Sequence, residues 1–480
     1  MTISGQVLLK NTFWSLFERG GYMVTLFITN IVLARILDPA DFGQIGIVMF
    51  FIAMANIFVE GGFGGALIRM NIVTDRHYST FFITNFIISI IVYLMILIVA
   101  KPISIYYNDP SLFLILVVSS LVIIINSFNF VQSNKLIRSI NFKKKSIFAL
   151  ISLCSASIFS IVAAVFGAKI WSLVIFQITN SLIFSLILWR SDQPFNQPIF
   201  DKKIFIDLWG FGINTTLSSL LDTIFDNIYQ LIFAKMFSIN QVGTYYQAKR
   251  LQFIPFGVLQ SLTHGVIYSF ISKYNHDIHV LQMWYMRIFK YFLIIASTFC
   301  SILFLYADEI VLQLLGNKWI DSIWFMKVLS IGSLFYFISS YSRMIFKILN
   351  RTDLILKLEV FKKVILSITI IFGMINHNLS WLMYGLVLTN IIFGIIFFAL
   401  SLHFIESKFS SHWIEPCVII IFFIIGGTTE IFVKEALQAM GCFSFISIII
   451  YLFLMFSLFH FSKILTISEI KNFRTNINIL

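Results

Sequence analysis

Charge is what this chain most conspicuously lacks. Only 12% of its 480 residues are Asp, Glu, Lys or Arg, against about 25% in an average soluble protein. A surface facing water cannot be covered at that density, which excludes a soluble enzyme and a charge-rich disordered chain. Cysteine is equally sparse. Cys154, Cys300, Cys417 and Cys442 stand singly in apolar stretches, with no C-x-x-C pair. That excludes a disulfide scaffold and points away from a metal site, so no metal or other cofactor is expected. No Gly-Lys-Ser/Thr phosphate loop occurs, so ATP is not expected as the direct energy source. No glycine follows Met1 and no cysteine box ends the chain, so lipid anchors are not expected. The first apolar run carries Glu18 and Arg19 without a small-residue cleavage pattern, and is read as a retained helix rather than a removed signal.

What the chain has in abundance is apolar surface: 59% of residues are hydrophobic and 17% aromatic. Its length would suggest two to four soluble domains, but the composition replaces that expectation with an all-α polytopic membrane protein. The apolar runs are continuous and lack the ten-residue alternation of membrane strands. A ruler of about 20 apolar residues yields fourteen candidate spans: 11–34, 42–66, 80–100, 111–130, 147–166, 170–189, 209–234, 242–271, 289–307, 322–346, 364–376, 381–402, 414–430 and 442–461. The eleventh and thirteenth are short.

The net charge of +12 is read as loops held against anionic headgroups, not as a nucleic-acid surface. With the N-terminus placed inside, the inner segments hold 22 Lys and Arg and the outer segments 6. The richest loop carries Lys135, Arg138, Lys143, Lys144 and Lys145. This bias predicts a multi-pass protein with both termini cytoplasmic and membrane lipids around it.

The end of the first span matches the end of the seventh at an offset of 200. Ala34-Arg35-Ile36-Leu37 aligns with Ala234-Lys235-Met236-Phe237, and Phe42-Gly43 with Val242-Gly243. Six spans separate the copies, so both enter the membrane in the same direction, as a parallel repeat requires. The expected organisation is a six-helix bundle over 1–190, a second over 191–402, and two additional helices with a cytoplasmic tail over 403–480.

Polar groups within spans are costly, so each is a functional candidate. Glu18, Tyr22, Thr25 and Thr29 share one face of span 1, with Arg19 beside Glu18. There a lined cavity and a local ion pair both fit. Span 2 carries Ala53, Asn56, Glu60 and Gly64 on one stripe, before a glycine-rich end where close packing is the simpler reading. Span 7 carries Asn214, Ser218, Asp222, Asp226 and Gln230 at every fourth residue, and the central three share a face. Asp222 and Asp226 fit either proton transfer or pairing with Lys249 or Arg250. Span 8 adds Gln247, Lys249, Arg250 and His264, and His264 alone fits a packing role. Span 10 presents Tyr336, Ser340, Arg343 and Lys347 together; Arg343 fits both cavity lining and snorkelling to the inner boundary. Cations beside hydroxyl and amide groups suit a large, hydroxylated anion.

Two stretches, Leu33-Ala34-Arg35-Ile36-Leu37-Asp38-Pro39-Ala40-Asp41-Phe42-Gly43 and Glu60-Gly61-Gly62-Phe63-Gly64-Gly65-Ala66-Leu67-Ile68, resemble the start of Wzx-type polysaccharide flippases, particularly the branch exporting colanic-acid-like units. In order follow Asn134-Lys135-Leu136-Ile137-Arg138-Ser139-Ile140-Asn141-Phe142-Lys143, Val242-Gly243-Thr244-Tyr245-Tyr246-Gln247-Ala248-Lys249-Arg250-Leu251 and Leu315-Gly316-Asn317-Lys318-Trp319. The resemblance covers about residues 10–400; spans 13 and 14 match only in hydrophobicity. It implies a member of the multidrug/oligosaccharidyl-lipid/polysaccharide exporter superfamily, moving undecaprenyl-pyrophosphate-linked oligosaccharide to the outer leaflet by alternating access. A polysaccharide polymerase and chain-length machinery are its expected partners. The basic cavities of the family support Arg19, Lys249, Arg250 and Arg343 as substrate contacts. Glu18, Glu60, Asp222 and Asp226 depart from a purely cationic cavity and favour proton- or cation-linked opening.

Two other function classes compete. A membrane-embedded polymerase needs a sizeable outer loop bearing acids and bases, yet the longest, Asp308–Asp321, is short and lacks histidine. Asp38 and Asp41 beside Pro39 fit helix capping better than a metal. An ion-coupled drug exporter of the same superfamily is the nearer rival, and the basic face counts against it.

Overall fold

In a computed structural model of the chain, the described residues are 5–61, 63–70, 72–139, 141–191, 195, 197–405, 419, 423, 425–429 and 444–461. They are helical throughout, as the composition requires. In chain order the helices are α1 (Gly5–Ile36), α2 (Pro39–Glu60), α3 (Phe63–Arg69), α4 (Asp75–Tyr106), α5 (Ser111–Ser119), α6 (Leu121–Arg138), α7 (Phe142–Val165), α8 (Ile170–Ser191), α9 (Lys202–Met236) and α10 (Ile239–Leu262). A π-helical turn (Thr263–Ile267) and α11 (Tyr268–Ile271) continue α10. Then come α12 (Ile278–Leu305), α13 (Ala307–Leu314), α14 (Asp321–Ile348), α15 (Thr352–Ile375), α16 (Leu379–Phe404) and α17 (Ser444–Phe461).

Nine helical segments among the described residues are long and apolar enough to cross a membrane. Helices overlie the first twelve expected spans and the fourteenth, while most of 414–430 falls outside the described residues. Several helices run past their apolar ruler on the side bearing basic residues. The segment 347–363, read as an inner loop, is helical from Thr352, and α9 and α12 start at Lys202 and Ile278. Their starts are set by caps rather than by hydropathy. The Asp201 carboxylate accepts from Lys203 N and Ile204 N, and the Asp277 carboxylate from His279 N and Val280 N. Each satisfies amides that a helix start leaves without partners.

The proposed repeat has matching capping geometry. Asp38 N donates to the Asp41 carboxylate at 3.1 Å, with Pro39 opening α2. Two hundred residues later, Ser238 N donates to Gln241 Oε1 at 3.2 Å and Gln241 N to Ser238 Oγ at 3.3 Å. Both are reciprocal caps of the kind in which the fourth residue folds back on the first.

The residues cluster into two compact units, Met1–Gln247 and Ala248–Leu480. In the first, α7 packs along α1 and α8, α6 against α4 and α8, and α2 along α9. Polar contacts join these helices: Thr29 donates to Ser157 Oγ at 2.8 Å, and Asn129 to the Ser181 carbonyl at 3.3 Å. At its basic end, Phe63, Leu67, Tyr78, Phe81, Val131 and Leu208 form one buried cluster. Arg138 ties off the end of α3 by donating to the Leu67 and Met70 carbonyls, each at 2.6 Å.

In the second unit α14 is the central helix, flanked by α12 and α16, with α15 laid on α16. Small residues permit the close approach. A Cβ on Gly394 would lie 2.8 Å from the Phe335 carbonyl oxygen. Tyr285, Phe289, Tyr341 and Phe398 form a stacked aromatic core. The Tyr341 hydroxyl donates to the Tyr285 carbonyl at 2.9 Å, and the Tyr285 hydroxyl meets Ser401 Oγ at 2.9 Å. Buried tyrosines usually need such partners.

Candidate functional site

Buried polar residues occur on many of the helices; two seams, one in each unit, bring several of the expected residues together. The first lies where α2 meets α9 and the start of α10. Gly43 and Gly243, paired by the 200-residue offset, touch at the backbone. A Cβ on Gly243 would overlap the Pro39 carbonyl and crowd Gly43 N; one on Gly43 would overlap the Ile239 carbonyl. Only glycine fits on either side of this crossing. One turn along, the Gln230 amide lies directly over Gly46, with the Tyr246 ring beside it. Gln247 is completely buried, and among the described residues neither its amide nitrogen nor its oxygen has a hydrogen-bond partner; Gln230 Nε2 likewise has none there.

The same end of this unit, the outer end under the charge bias, is fastened by side chains. Gln44 Nε2 donates to the Asp109 carboxylate at 2.6 Å and to Ser111 Oγ at 2.8 Å. Lys235 donates to the Tyr106 carbonyl at 2.7 Å while lying 4.1 Å from the centre of the Tyr106 ring. Burial, with a smaller contribution from Tyr106, pushes the Tyr107 hydroxyl up to about 12. It therefore stays protonated, within 3.5 Å of the Leu231 carbonyl.

The second seam joins α10, α14 and α15. Gln252 donates to Ser333 Oγ, and His264 Nε2 meets Ser340 Oγ at 3.0 Å. His264 sits in the π-helical turn, a distortion often found at functional positions. One turn beyond Ser340, Arg343 forms an ion pair with Glu359 of α15. The guanidinium lies 5.8 Å from the Tyr336 ring centre and 5.9 Å from that of Phe397, within cation–π range. Lys362 Nζ reaches the same tyrosine at 5.3 Å. Both charges of the Arg343–Glu359 pair are about one-fifth exposed, so they are held mostly within the protein.

The other expected residues fall as follows. Tyr22 is exposed on α1 and Thr25 half-buried. Asn56 accepts from Asn126 of α6 at 3.0 Å, which turns this part of the span 2 stripe toward α6. Glu60 is exposed at the end of α2, just before the left-handed Gly61. Lys249 and Arg250 are half-buried on α10. Glu18 and Arg19 lie on α1, and Asn214, Ser218, Asp222 and Asp226 on α9. Their side chains lie outside the described residues, so the proposed ionic pairing of Asp222 and Asp226 has no contact to weigh.

Glu359 and Lys362 lie in 347–363, which the apolar ruler leaves outside the spans. Their signal was helical spacing: Glu359 with Lys362 and Lys363 at three and four residues. Gln230 stands at the end of the span 7 stripe, where a 3.6-residue helix turns it away from the face of the central three.

Residues 32–324, more than half the chain, match the family model described as polysaccharide biosynthesis protein. The succinoglycan biosynthesis transport protein ExoT of Rhizobium meliloti (strain 1021) is 22% identical over 318 residues, covering 66% of this chain and 64% of that protein. The chain thus spans just under two thirds of that relative's length. The lipopolysaccharide biosynthesis protein WzxC of Escherichia coli (strain K12) is 20% identical over 348 residues, covering 71% of this chain and 70% of that one. Among solved structures, the lipid II flippase MurJ in an inward closed conformation superposes with a TM-score of 0.72 at 14% identity. It covers 95% of this chain and all of that one, a likeness of fold. The chain belongs to the polysaccharide biosynthesis protein family.

Proposed function

With membership of that family as the premise, we propose that the chain is a flippase for polyprenyl-pyrophosphate-linked oligosaccharide, not an enzyme acting on it. It carries the sugar headgroup from the inner to the outer leaflet by alternating access while the lipid tail stays in the bilayer. The supporting observation is the pair of polar seams, each within a bundle of largely apolar helices. One is neutral and amide-rich, the other cationic and aromatic, and together they present the two chemistries of a glycosylated pyrophosphate. The names of the family and of its transport relatives support the same reading.

The remaining parts of the proposal rest on sequence. The bundles 1–190 and 191–402 are the two moving halves, and 403–480 is an addition to them. The protein lies in the inner membrane with both termini cytoplasmic and works beside a polymerase and chain-length machinery. Asp222 and Asp226 link transport to a proton or cation gradient. Lys249, Arg250 and Arg343 attract the pyrophosphate.

Reconstituted proteoliposomes test the central claim. A fluorescent saccharide on a polyprenyl pyrophosphate should become accessible to an impermeant quencher on the opposite face only when the protein is present. Gradient-driven movement of a cationic dye with no movement of the lipid-linked sugar would replace this reading with drug export.

A further inference from the structure

We propose that Gln230 and Gln247 form a hydroxyl-binding subsite for the sugar part of the substrate, covered in this structure by the Gly43–Gly243 crossing. The inference rests on the flippase reading and adds a place and a chemistry to it.

Both residues are buried, Gln230 2% exposed and Gln247 not at all, and three of their four amide heavy atoms lack a hydrogen-bond partner among the described residues. A primary amide offers two donors and an acceptor with two lone pairs. Burying it unpaired costs more than burying an apolar side chain of the same shape, and the low-dielectric interior makes the deficit larger. If these positions served packing alone, leucine or methionine would fill them at lower cost. An amide there is repaid only when something with hydroxyl groups reaches it.

Three features make the surroundings suit a sugar. Neither residue is charged, so the pair discriminates hydroxyl groups rather than pyrophosphate. Tyr246 lies beside the Gln230 amide at Gly46, and an aromatic face next to hydrogen-bonding groups accepts the apolar C–H face of a pyranose. Gly43 and Gly243 bring the backbones of α2 and α10 into contact, and Gly46 leaves room on α2 for the Gln230 amide. Parting the two helices would therefore open space directly over the amides.

Depth is consistent with such a role. Gln230 lies six residues before the end of α9 and Gln247 eight residues into α10, about 9 and 12 Å from the turn joining them. Under the charge bias, that is the outer part of the membrane. The repeat offers a second sign. Asn30 occupies the position equivalent to Gln230, six residues before the end of α1, is 1% exposed, and has both amide atoms unpartnered.

Binding to the full-length protein in lipid nanodiscs separates this proposal from the flippase reading. The probes are a polyprenyl pyrophosphate bearing a fluorescent oligosaccharide and the same lipid without sugar. The wild type is expected to bind the glycosylated lipid more tightly. The double variant Gln230→Leu/Gln247→Leu should lose at least tenfold in affinity for it while binding the sugar-free lipid within twofold. The single variant Gln247→Met, close in shape, should show a smaller loss of the same kind, and Gln247→Asn should recover part of it. If the wild type prefers the glycosylated lipid and folded variants lose nothing, or lose both probes equally, the subsite is overturned and the flippase reading stands. If the wild type binds neither probe, the flippase reading falls and the subsite with it.

Discussion

The two seams solve one problem in opposite ways. Where α2 meets α9 and α10, polarity is neutral, the backbones touch at glycine, and amides remain unpaired. Where α10 and the π-helical turn meet α14, and where α14 meets α15, side chains fill the contact and polar groups find partners: Arg343 pairs with Glu359, and the His264 ring meets the Ser340 hydroxyl. The difference follows from what each kind of group tolerates. A charge left alone in a low-dielectric interior is prohibitive and must be paired. A neutral amide left alone is costly but bearable, so it can be held in reserve for a ligand. The ionic seam is thus expected to be rigid, and the neutral one able to part.

Substitutions can break this contrast, beginning with the severest. Gly243→Leu should abolish the folded protein, because its side chain would occupy the Pro39 carbonyl; no folded peak should survive in fluorescence-detected size-exclusion chromatography. Gly265→Leu is the matched control, since nothing lies within 4 Å of its Cβ position, and should elute like the wild type. Next comes the ion pair. Arg343→Ala leaves Glu359 unpaired and should cost about 3 kcal/mol, the scale for breaking a largely buried pair, seen as a lower unfolding temperature. The further change Glu359→Gln should recover part of that loss. In the neutral seam the sign reverses. Gln247→Met should stabilise the protein by about 1 kcal/mol through removal of an unpaired amide, raising the unfolding temperature while weakening sugar-dependent binding. A lower unfolding temperature would mean that the amide is already satisfied, and the contrast between the seams would fail.

Smaller effects sharpen the comparison of the repeats. Asp38→Ala and Ser238→Ala each remove one side of a helix cap and should cost about 1 kcal/mol apiece; unequal losses would show that the two copies carry different loads. Smallest is Lys327→Ala. Its 2.6 Å pair with Asp308 is about one-third to one-half exposed, so the cost should stay below about 1 kcal/mol and shrink further in high salt.

Much of this was readable in one dimension. A span of twenty apolar residues must be helical in lipid, because no other local fold pairs every backbone amide, so α4, α7 and α16 were expected where they lie. The turn at Asp38-Pro39 and the glycine at 243 were visible for similar reasons: proline and glycine restrict or free the backbone wherever they occur. The polar stripes were visible too, but not what they face. Asn56 looked like a cavity residue and is bonded to Asn126, seventy positions away. Arg343 fits cavity lining or snorkelling in sequence, and is bound to Glu359 in a stretch outside the apolar spans. The helix carrying that glutamate starts twelve residues before the apolar ruler begins, since hydropathy marks where lipid is and not where backbone hydrogen bonding stops.

Composition and periodicity alone establish that the chain is a bundle of membrane helices, because both are local and solvent-driven properties. Which buried groups are paired and which are left wanting was settled only when helices two hundred residues apart came together. A helix's period says which residues share a face, but not what stands opposite. That is why Gly43 and Gly243 could be aligned in sequence, while their contact, and the unpaired glutamines beside it, became visible only in three dimensions.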